Sequence, residues 1–327
     1  MDYRKLGRSG LKLSAVSLGS WRTYGVTVDD AGTEACLKAA YDKGVNYFDG
    51  AEGYGAGAAE AAMGRAIRKL GWPRDTFCVS SKVYHGGEGP NRTGLSRKHV
   101  VEACDAALRR MGIDYLDLYF CHRPDPDTPL DEIVHTMNGL IARGKILYWG
   151  TSNFSASDLL QMGAIAERDG LIGPTMEQPR YNMLDRARVE TELAPVFDRY
   201  GLGTTVYSPL SVGILTGKYN DGIPDGSALA QTPHLQRRLT EENLAKARAV
   251  CALAQELAMT PARLALAWCL KNPRVSTALV GASRPEQIEE NTAAVEEVEK
   301  LDDGVMSRIE SLLAGAGGDR GSVNSNQ

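Results

Sequence analysis

Eight short apolar runs alternate one for one with eight stretches of helical periodicity, and this rhythm constrains the fold more than any other feature of the chain. The runs are AVSLGSW, VNYFDG, FCVSSKV, LDLYFCH, ILYWGTS, TMEQPRY, GTTVYSP and STALVGA. The amphipathic stretches lie near 29–43, 58–70, 97–111, 130–143, 155–168, 187–199, 241–270 and 285–298. DAGTEACLKAAYDKG joins apolar 3-to-4 spacing to a Gly stop, and KHVVEACDAALRRMG closes on Arg-Arg, where cations suit the helix dipole. Such alternation demands parallel strands joined by right-handed crossovers. Eight units of this kind close into a (β/α)8 barrel, the TIM-barrel arrangement, more readily than they extend as an open sheet. The rival, a doubly wound sheet, would carry G-x-G-x-x-G after its first strand, whereas this chain runs into LGSWRTYG. By default 327 residues suggest two domains, but barrels routinely hold more than about 250 residues around one core.

Several segments fall outside the alternation. YRKLGRSGLKLS sets Gly-Arg-Ser-Gly between two short alternating runs and predicts an N-terminal β-hairpin. Residues 210–240, rich in Gly, Pro and Asp, form a long loop after the seventh strand, of a length usual for functional lids or disordered segments. An extra helix is expected to close a single barrel domain over 1–314, with the small, polar tail at 315–327 disordered.

Composition excludes some functions. A net charge of −4, a pI near 5.8 and no block of like charges give no footprint for nucleic acid. Cys36, Cys78, Cys104, Cys121, Cys251 and Cys269 lack CxxC spacing and suit small buried residues in a reducing compartment, so neither disulfides nor zinc is expected. The five histidines show no HExxH pattern, and strand neighbours Cys121 and His122 point to opposite faces, so no metal is expected. MDYRKLGRSG has no apolar core of a signal peptide, and no run of about 18 apolar residues occurs, so a soluble, cytoplasmic protein without membrane insertion is expected.

In a barrel, polar residues at the carboxyl ends of strands converge on one face, where chemistry occurs. Those ends carry Trp21, Asp49, Lys82, His122, Ser152, Asn153, Gln178, Ser208, Gly281 and Ser283. Each alone has a plain structural explanation: a capping acid, a solvated lysine, a satisfied core histidine. Their shared register is harder to dismiss. Together with Tyr54, just past YFD, they include the parts that pass a proton to a carbonyl oxygen while a cofactor delivers hydride. A free Tyr near pKa 10 is a poor acid at neutral pH, and a cation within about 4–6 Å lowers it by roughly 1–3 units. GASRPEQIEEN reads as a helix start, with Ser283 as cap, Pro285 in the first turn, and Arg284 beside an N-terminus suited to phosphate.

The spans FDGAEGYGAGAAEAAMGRAI, RMGIDYLDLYFCHRPDPDTP, ILYWGTSNFSASDL, TVYSPLSVGILTGKY and LVGASRPEQIEEN resemble the aldo-keto reductase superfamily from about residue 3 to about 313. The likeness is strongest to the branch of potassium-channel β subunits and related bacterial and plant reductases. The resemblance implies a (β/α)8 barrel, NADP(H) as cofactor, and reversible reduction of a small aldehyde or ketone, with assembly into a homo-oligomer. It also carries a rival: an NADP-binding regulatory subunit that senses redox state and docks on a partner. By resemblance the catalytic groups are Tyr54, Lys82, Asp49 and His122: acid, pKa-setting cation, its anchor, and the group that orients the carbonyl. Channel β subunits carry Asn where this chain has His122, which tilts the reading toward an enzyme. Gly50 departs from the Thr more usual after the Asp.

The resemblance further sets the nicotinamide carboxamide against Ser152, Asn153 and Gln178, stacks Tyr207 on the ring, and adds Ser20, Trp21 and Asp49 as neighbours. Tyr207, Ser208, Pro209, Leu210 and Ser211 would cradle the pyrophosphate with Lys218, beneath the long covering loop. Gly281, Ser283 and Arg284 would meet the 2′-phosphate, with Gln287, Glu290 and Asn291 near the adenine. Arg284 favours NADP over NAD, although a loop arginine of the branch is replaced here by Ala228. Trp21, Tyr24, Tyr84 and His85 are the expected walls of the substrate pocket.

Overall fold

A computed structural model describes residues 1–315, so the tail expected to be disordered falls outside the described residues except for Gly315. Strands β1 (Tyr3–Lys5) and β2 (Lys12–Ser14) pair antiparallel as the expected hairpin. Eight parallel strands then close a barrel: β3 (Val16–Gly19), β4 (Tyr47–Asp49), β5 (Cys78–Val83), β6 (Leu116–Cys121), β7 (Ile146–Thr151), β8 (Met176–Glu177), β9 (Gly203–Tyr207) and β10 (Thr277–Gly281), with β10 returning to β3. Around them lie α1 (Asp30–Asp42), α2 (Ala58–Leu70), α3 (Arg97–Met111), α4 (Leu130–Ala142), α5 (Ala156–Asp169), α6 (Ala194–Tyr200), α7 (Glu241–Glu256), α8 (Pro261–Lys271) and α9 (Pro285–Glu297), followed by the extra helix α10 (Asp303–Gly315). Among the described residues, no helix is long and apolar enough to cross a membrane.

Local chemistry sets these boundaries. Asp29 caps α1, Ser96 caps α3, and Ser155 with Asp158 forms a capping box on α5. Left-handed glycines end α2, α3, α5 and α6. The stretch expected as one helix over 241–270 is two. Thr260 caps the second, its hydroxyl accepting from the Arg263 N–H, and Pro261 occupies the first helical position, where the missing N–H does no harm. The stretch at 187–199 is likewise divided, into a wide turn over Arg188–Glu192 and α6. The loop at 210–240 holds turns at Ser211–Thr216 and Pro233–Arg238, packed on their own apolar cluster of Ile214, Tyr219, Leu229 and Leu235.

Alternation along each strand divides two cores. Phe48, Val79 and Tyr119 face the helices, whereas Tyr47, Cys78, Leu118, Phe120, Met176 and Leu279 fill the barrel interior. Leu6 and Leu13 of the hairpin join that inner cluster, both 0% exposed. The hairpin is held there by hydrogen bonds to residues just before the strands: Ser14 N–H to Asn46 Oδ1 (2.7 Å), Arg4 to the Val275 carbonyl (3.1 Å) and Arg8 N–H to the Gly201 carbonyl (2.9 Å). It therefore plugs the amino end and leaves the carboxyl end open. Leu13→Ala is expected to destabilise the protein by about 2–5 kcal/mol through the cavity it leaves under a closed barrel. A urea midpoint unchanged from wild type would show that the hairpin is not part of the core.

Candidate active site

At the open end, the four groups expected to gather are in contact. Asp49 ends β4, and Lys82 is the fifth residue of β5, so both project inward beside Tyr47 and Ser80. The Lys82 ammonium, 0% exposed, donates to Asp49 Oδ2 at 2.5 Å, to the Gly50 carbonyl at 2.7 Å and to the Tyr54 hydroxyl oxygen at 3.2 Å. Asp49 Oδ1 in turn accepts from Tyr47 (3.0 Å), Ser80 (2.8 Å) and Gln178 (3.2 Å). A buried carboxylate so fully hydrogen-bonded, facing a buried ammonium, satisfies the condition under which a low-dielectric ion pair survives. Tyr47, Ser80 and Thr205, which accepts from Gln178 at 3.1 Å, were not singled out in the sequence. Period-two counting back from Asp49, Lys82 and Tyr207 would have found them.

A Cβ on Gly50 would lie 3.1 Å from Met111 Cε and 3.2 Å from the Ser80 carbonyl, so the loop into Tyr54 packs closely against β5 and α3. His122 follows β6. Its ring centroid is 5.7 Å from that of Tyr54 and 5.6 Å from that of His85, which stands 4.8 Å from Tyr84. These rings form one wall of the mouth. Trp21, 43% exposed beneath the Arg22 guanidinium, stands at the rim. Tyr24 departs from expectation: it is 1% exposed within the main core, so it cannot wall a pocket.

Burial sets the charges. Burial drives His122 well below the ordinary histidine pKa, aided by Lys82, His85 and Arg123, so its imidazole is neutral, with a buried Nδ1 that has no partner. Burial alone would lower Lys82, but Asp49 and Tyr54 reverse this and keep it charged. Burial raises Tyr54 above its ordinary 10.0, and Lys82 pulls against that rise without cancelling it. The expectation that Lys82 leaves Tyr54 with a depressed pKa is thus corrected. The lowering is present, and desolvation exceeds it.

Beside this cluster lie polar groups from three further strand ends. Ser152 donates to the Gln178 carbonyl (2.9 Å), Asn153 Nδ2 donates to Ser152 Oγ (3.0 Å), and Tyr207 donates to Asn153 Oδ1 (3.1 Å). Ser20 donates to the Asp49 carbonyl at 2.9 Å. After Tyr207 the chain twists through positive φ at Ser208 (53°), Ser211 (48°), Val212 (58°) and Gly213 (92°). Leu210 (φ −96°, ψ 12°) leads into this run, and the Ser211 N–H donates to the Ser208 carbonyl at 2.9 Å. Pro209 is buried, the Ser211 hydroxyl faces Arg238 at 3.4 Å, and exposed Lys218 lies over Tyr219.

At the β10 end, exposed Gly281 leads into α9. The cap expected at Ser283 is instead Arg284, in extended conformation with no side-chain cap bond, so the first-turn N–H groups of α9 are not claimed by a capping side chain. Gln287 reaches back to accept from the Ser283 N–H at 2.8 Å, which holds Ser283 outside the helix. Arg284 is exposed, Glu290 partly buried and Asn291 buried. Strand-end amides, an aromatic face, a turn of positive-φ residues and an uncapped helix start, in that order around the mouth, suit an extended, anionic, amide-bearing cofactor.

The molecule is thus a closed parallel barrel with a Tyr–Lys–Asp–His cluster at its carboxyl end. The sequence profile of the Aldo/keto reductase family matches residues 15–314, and the chain belongs to that family, whose members generally bind NAD(P)H and act on small carbonyl substrates. It is 48% identical over 321 residues to the Schizosaccharomyces pombe protein named "Putative voltage-gated potassium channel subunit beta", covering 96% of this chain and 93% of that one. It is 45% identical over 317 residues to an Arabidopsis thaliana protein named "Probable voltage-gated potassium channel subunit beta", covering 96% and 97% respectively. A rice protein of the same name, from Oryza sativa subsp. japonica, is 44% identical over an equal span.

Proposed function

We propose that this protein reduces a small aldehyde or ketone to the alcohol with NADPH, Tyr54 serving as the general acid. The observation that carries the reading is the buried Asp49–Lys82–Tyr54 chain of hydrogen bonds beside a neutral His122. Asp49 keeps the Lys82 ammonium charged and aimed at the phenol oxygen. As Tyr54 gives its proton to the developing alkoxide, that ammonium stabilises the phenolate left behind. A neutral imidazole retains one N–H, which donates to the carbonyl oxygen where negative charge accumulates. Bound NADPH would supply the hydride. Ser152, Asn153 and Gln178 would hold its carboxamide, with Ser20 and Trp21 beside the ring and Tyr207 against it. Residues 208–211 with Lys218 would take the pyrophosphate, and Arg284 at the start of α9 the 2′-phosphate, near Gln287, Glu290 and Asn291.

Arg284→Ala tests the cofactor half of this reading. Loss of a charge-assisted contact of about 1.5–3 kcal/mol should weaken NADPH binding by roughly 10–100-fold and leave NADH nearly untouched. Ala228 supplies no second cation, so Arg284 bears the discrimination here. Unchanged NADPH affinity would remove it from that role.

The names of the relatives favour a second reading, a cofactor-binding subunit that reports redox state to a partner. A panel of aldehydes with NADPH separates the two. Cofactor oxidation supports the reductase; tight binding without oxidation on any member supports the subunit.

A further inference from the structure

Glu52 and His99 have no part in the machinery above, yet they join its loops. Glu52 lies two residues before Tyr54 and is 6% exposed; His99, in the first turn of α3, is 5% exposed. Glu52 Oε1 accepts from the Tyr84 N–H at 2.6 Å, and Oε2 faces His99 Nε2 at 3.5 Å. His99 Nδ1 lies 2.8 Å from the Gly94 carbonyl. The Gly94 carbonyl can only accept, so Nδ1 donates to it, and a second proton on Nε2 makes His99 an imidazolium facing the Glu52 carboxylate. Burial works against that charge, but Glu52 and the Gly94 carbonyl outweigh it and hold the pKa above the ordinary 6.5.

The loop over 84–95 rests on this pair. A Cβ on Gly86 would stand 2.5 Å from His99 Nε2 and 3.3 Å from Glu52 Oε2, so only glycine lets the loop settle there. The Gly94 N–H donates to the Tyr84 carbonyl at 3.0 Å, and His85 bridges Thr93. At the far end of the loop, the Leu95 N–H donates to Asp125 Oδ2 at 2.7 Å, and Asp125 belongs to the loop that follows His122. One buried ion pair thus stands where the loops bearing Tyr54, Tyr84 with His85, and His122 meet.

We propose that Glu52 and His99 are positioning residues, whose ion pair clamps the 84–95 loop against the Tyr54 loop and sets Tyr84 and His85 where the carbonyl substrate docks. This rests on the reductase reading and adds a pH dependence to it. The charged groups around His99 are Glu52 from the β4 loop, Glu102 from its own helix and Asp125 from the β6 loop, all of which favour its proton; Arg92 lies on the clamped loop and reaches the Gly86 carbonyl. Because the folded pKa is raised, the clamp is complete below 6.5 and is lost as pH rises through the folded value.

Wild type and His99→Gln are compared from about pH 6 to about pH 9, the range in which a raised histidine titrates. In wild type, KM for the aldehyde should rise about tenfold with pH while kcat changes by less than about twofold; in His99→Gln, which cannot titrate, KM should be flat. A KM profile identical in the two proteins overturns the clamp. A second measurement needs no turnover: the His99 ring is titrated by NMR in wild type, alongside hydrogen exchange of the Tyr84 and Gly94 amides corrected for base catalysis. Protection lost with the His99 midpoint supports the clamp even if no carbonyl is reduced, in which case the reductase reading alone fails. Protection indifferent to that midpoint overturns the clamp even in an active enzyme.

Discussion

Lys82→Met is expected to lower kcat for aldehyde reduction by about 10²–10⁴. The side chain keeps its length in a fully buried position, so packing changes little. What disappears is the only ammonium among the described residues that donates to the Tyr54 oxygen. Without it, burial raises the Tyr54 pKa unopposed by its main counterweight, and the phenolate formed on proton transfer has no cation beside it. Tyr47, Ser80 and Gln178 still donate to Asp49 Oδ1, whereas Oδ2 loses Lys82, so the variant also loses stability and its kinetics are read at a temperature where it is folded. Steady-state kinetics with NADPH checks the expectation. A kcat within about threefold of wild type would mean that Lys82 is a structural ion-pair partner only.

Removing the other partner has the opposite balance. Asp49→Ala takes the carboxylate from a buried ammonium whose remaining acceptors are the Gly50 carbonyl and the Tyr54 oxygen. Breaking a buried pair in this way costs about 3–5 kcal/mol, a large part of a typical domain's stability. The pH dependence follows from the sign of the shift. In wild type the Lys82 pKa is raised above 10.5, so the stability it contributes is complete below 10.5 and is lost only as pH rises through the higher folded value. In the variant, desolvation acts without Asp49 and pushes Lys82 below that value, so folding then favours the neutral amine. The stability gap between the two proteins should therefore narrow as pH rises toward 10.5 and beyond. Chemical denaturation across alkaline pH measures it. A gap independent of pH would show that the ion pair is not the source of the difference.

Much of this arrangement was legible in the chain because it follows from period. Strict alternation of strand-like and helical segments predicted the closed barrel, and the polar residues at the ends of YFD, FCVSSK and LDLYFCH lie together at its mouth. What was missed depends on three-dimensional proximity that spacing does not encode. Tyr24 lies in a loop near the mouth in sequence, but its ring turns into the core against Cys36. Ser283 has the right chemistry for a cap, yet Gln287 holds its N–H outside the helix and Arg284 takes the position. The helix over 241–270 seemed continuous because its apolar spacing runs on through Thr260-Pro261, the local signal for a fresh start. Glu52 and His99 lie 47 positions apart (99 − 52) and meet only because the loops after β4 and β5 converge there. Desolvation is the other hidden quantity. Residue types announce that Lys82 should acidify Tyr54, but only burial tells that the phenol ends above its ordinary value.

Tyr54→Phe tests the central claim with the loss of a single oxygen. NADPH affinity and aldehyde turnover are measured on the same preparations of variant and wild type. The account predicts cofactor binding within about twofold of wild type and reduction slower by at least about 10²–10⁴-fold. Turnover retained by the phenylalanine protein would contradict it.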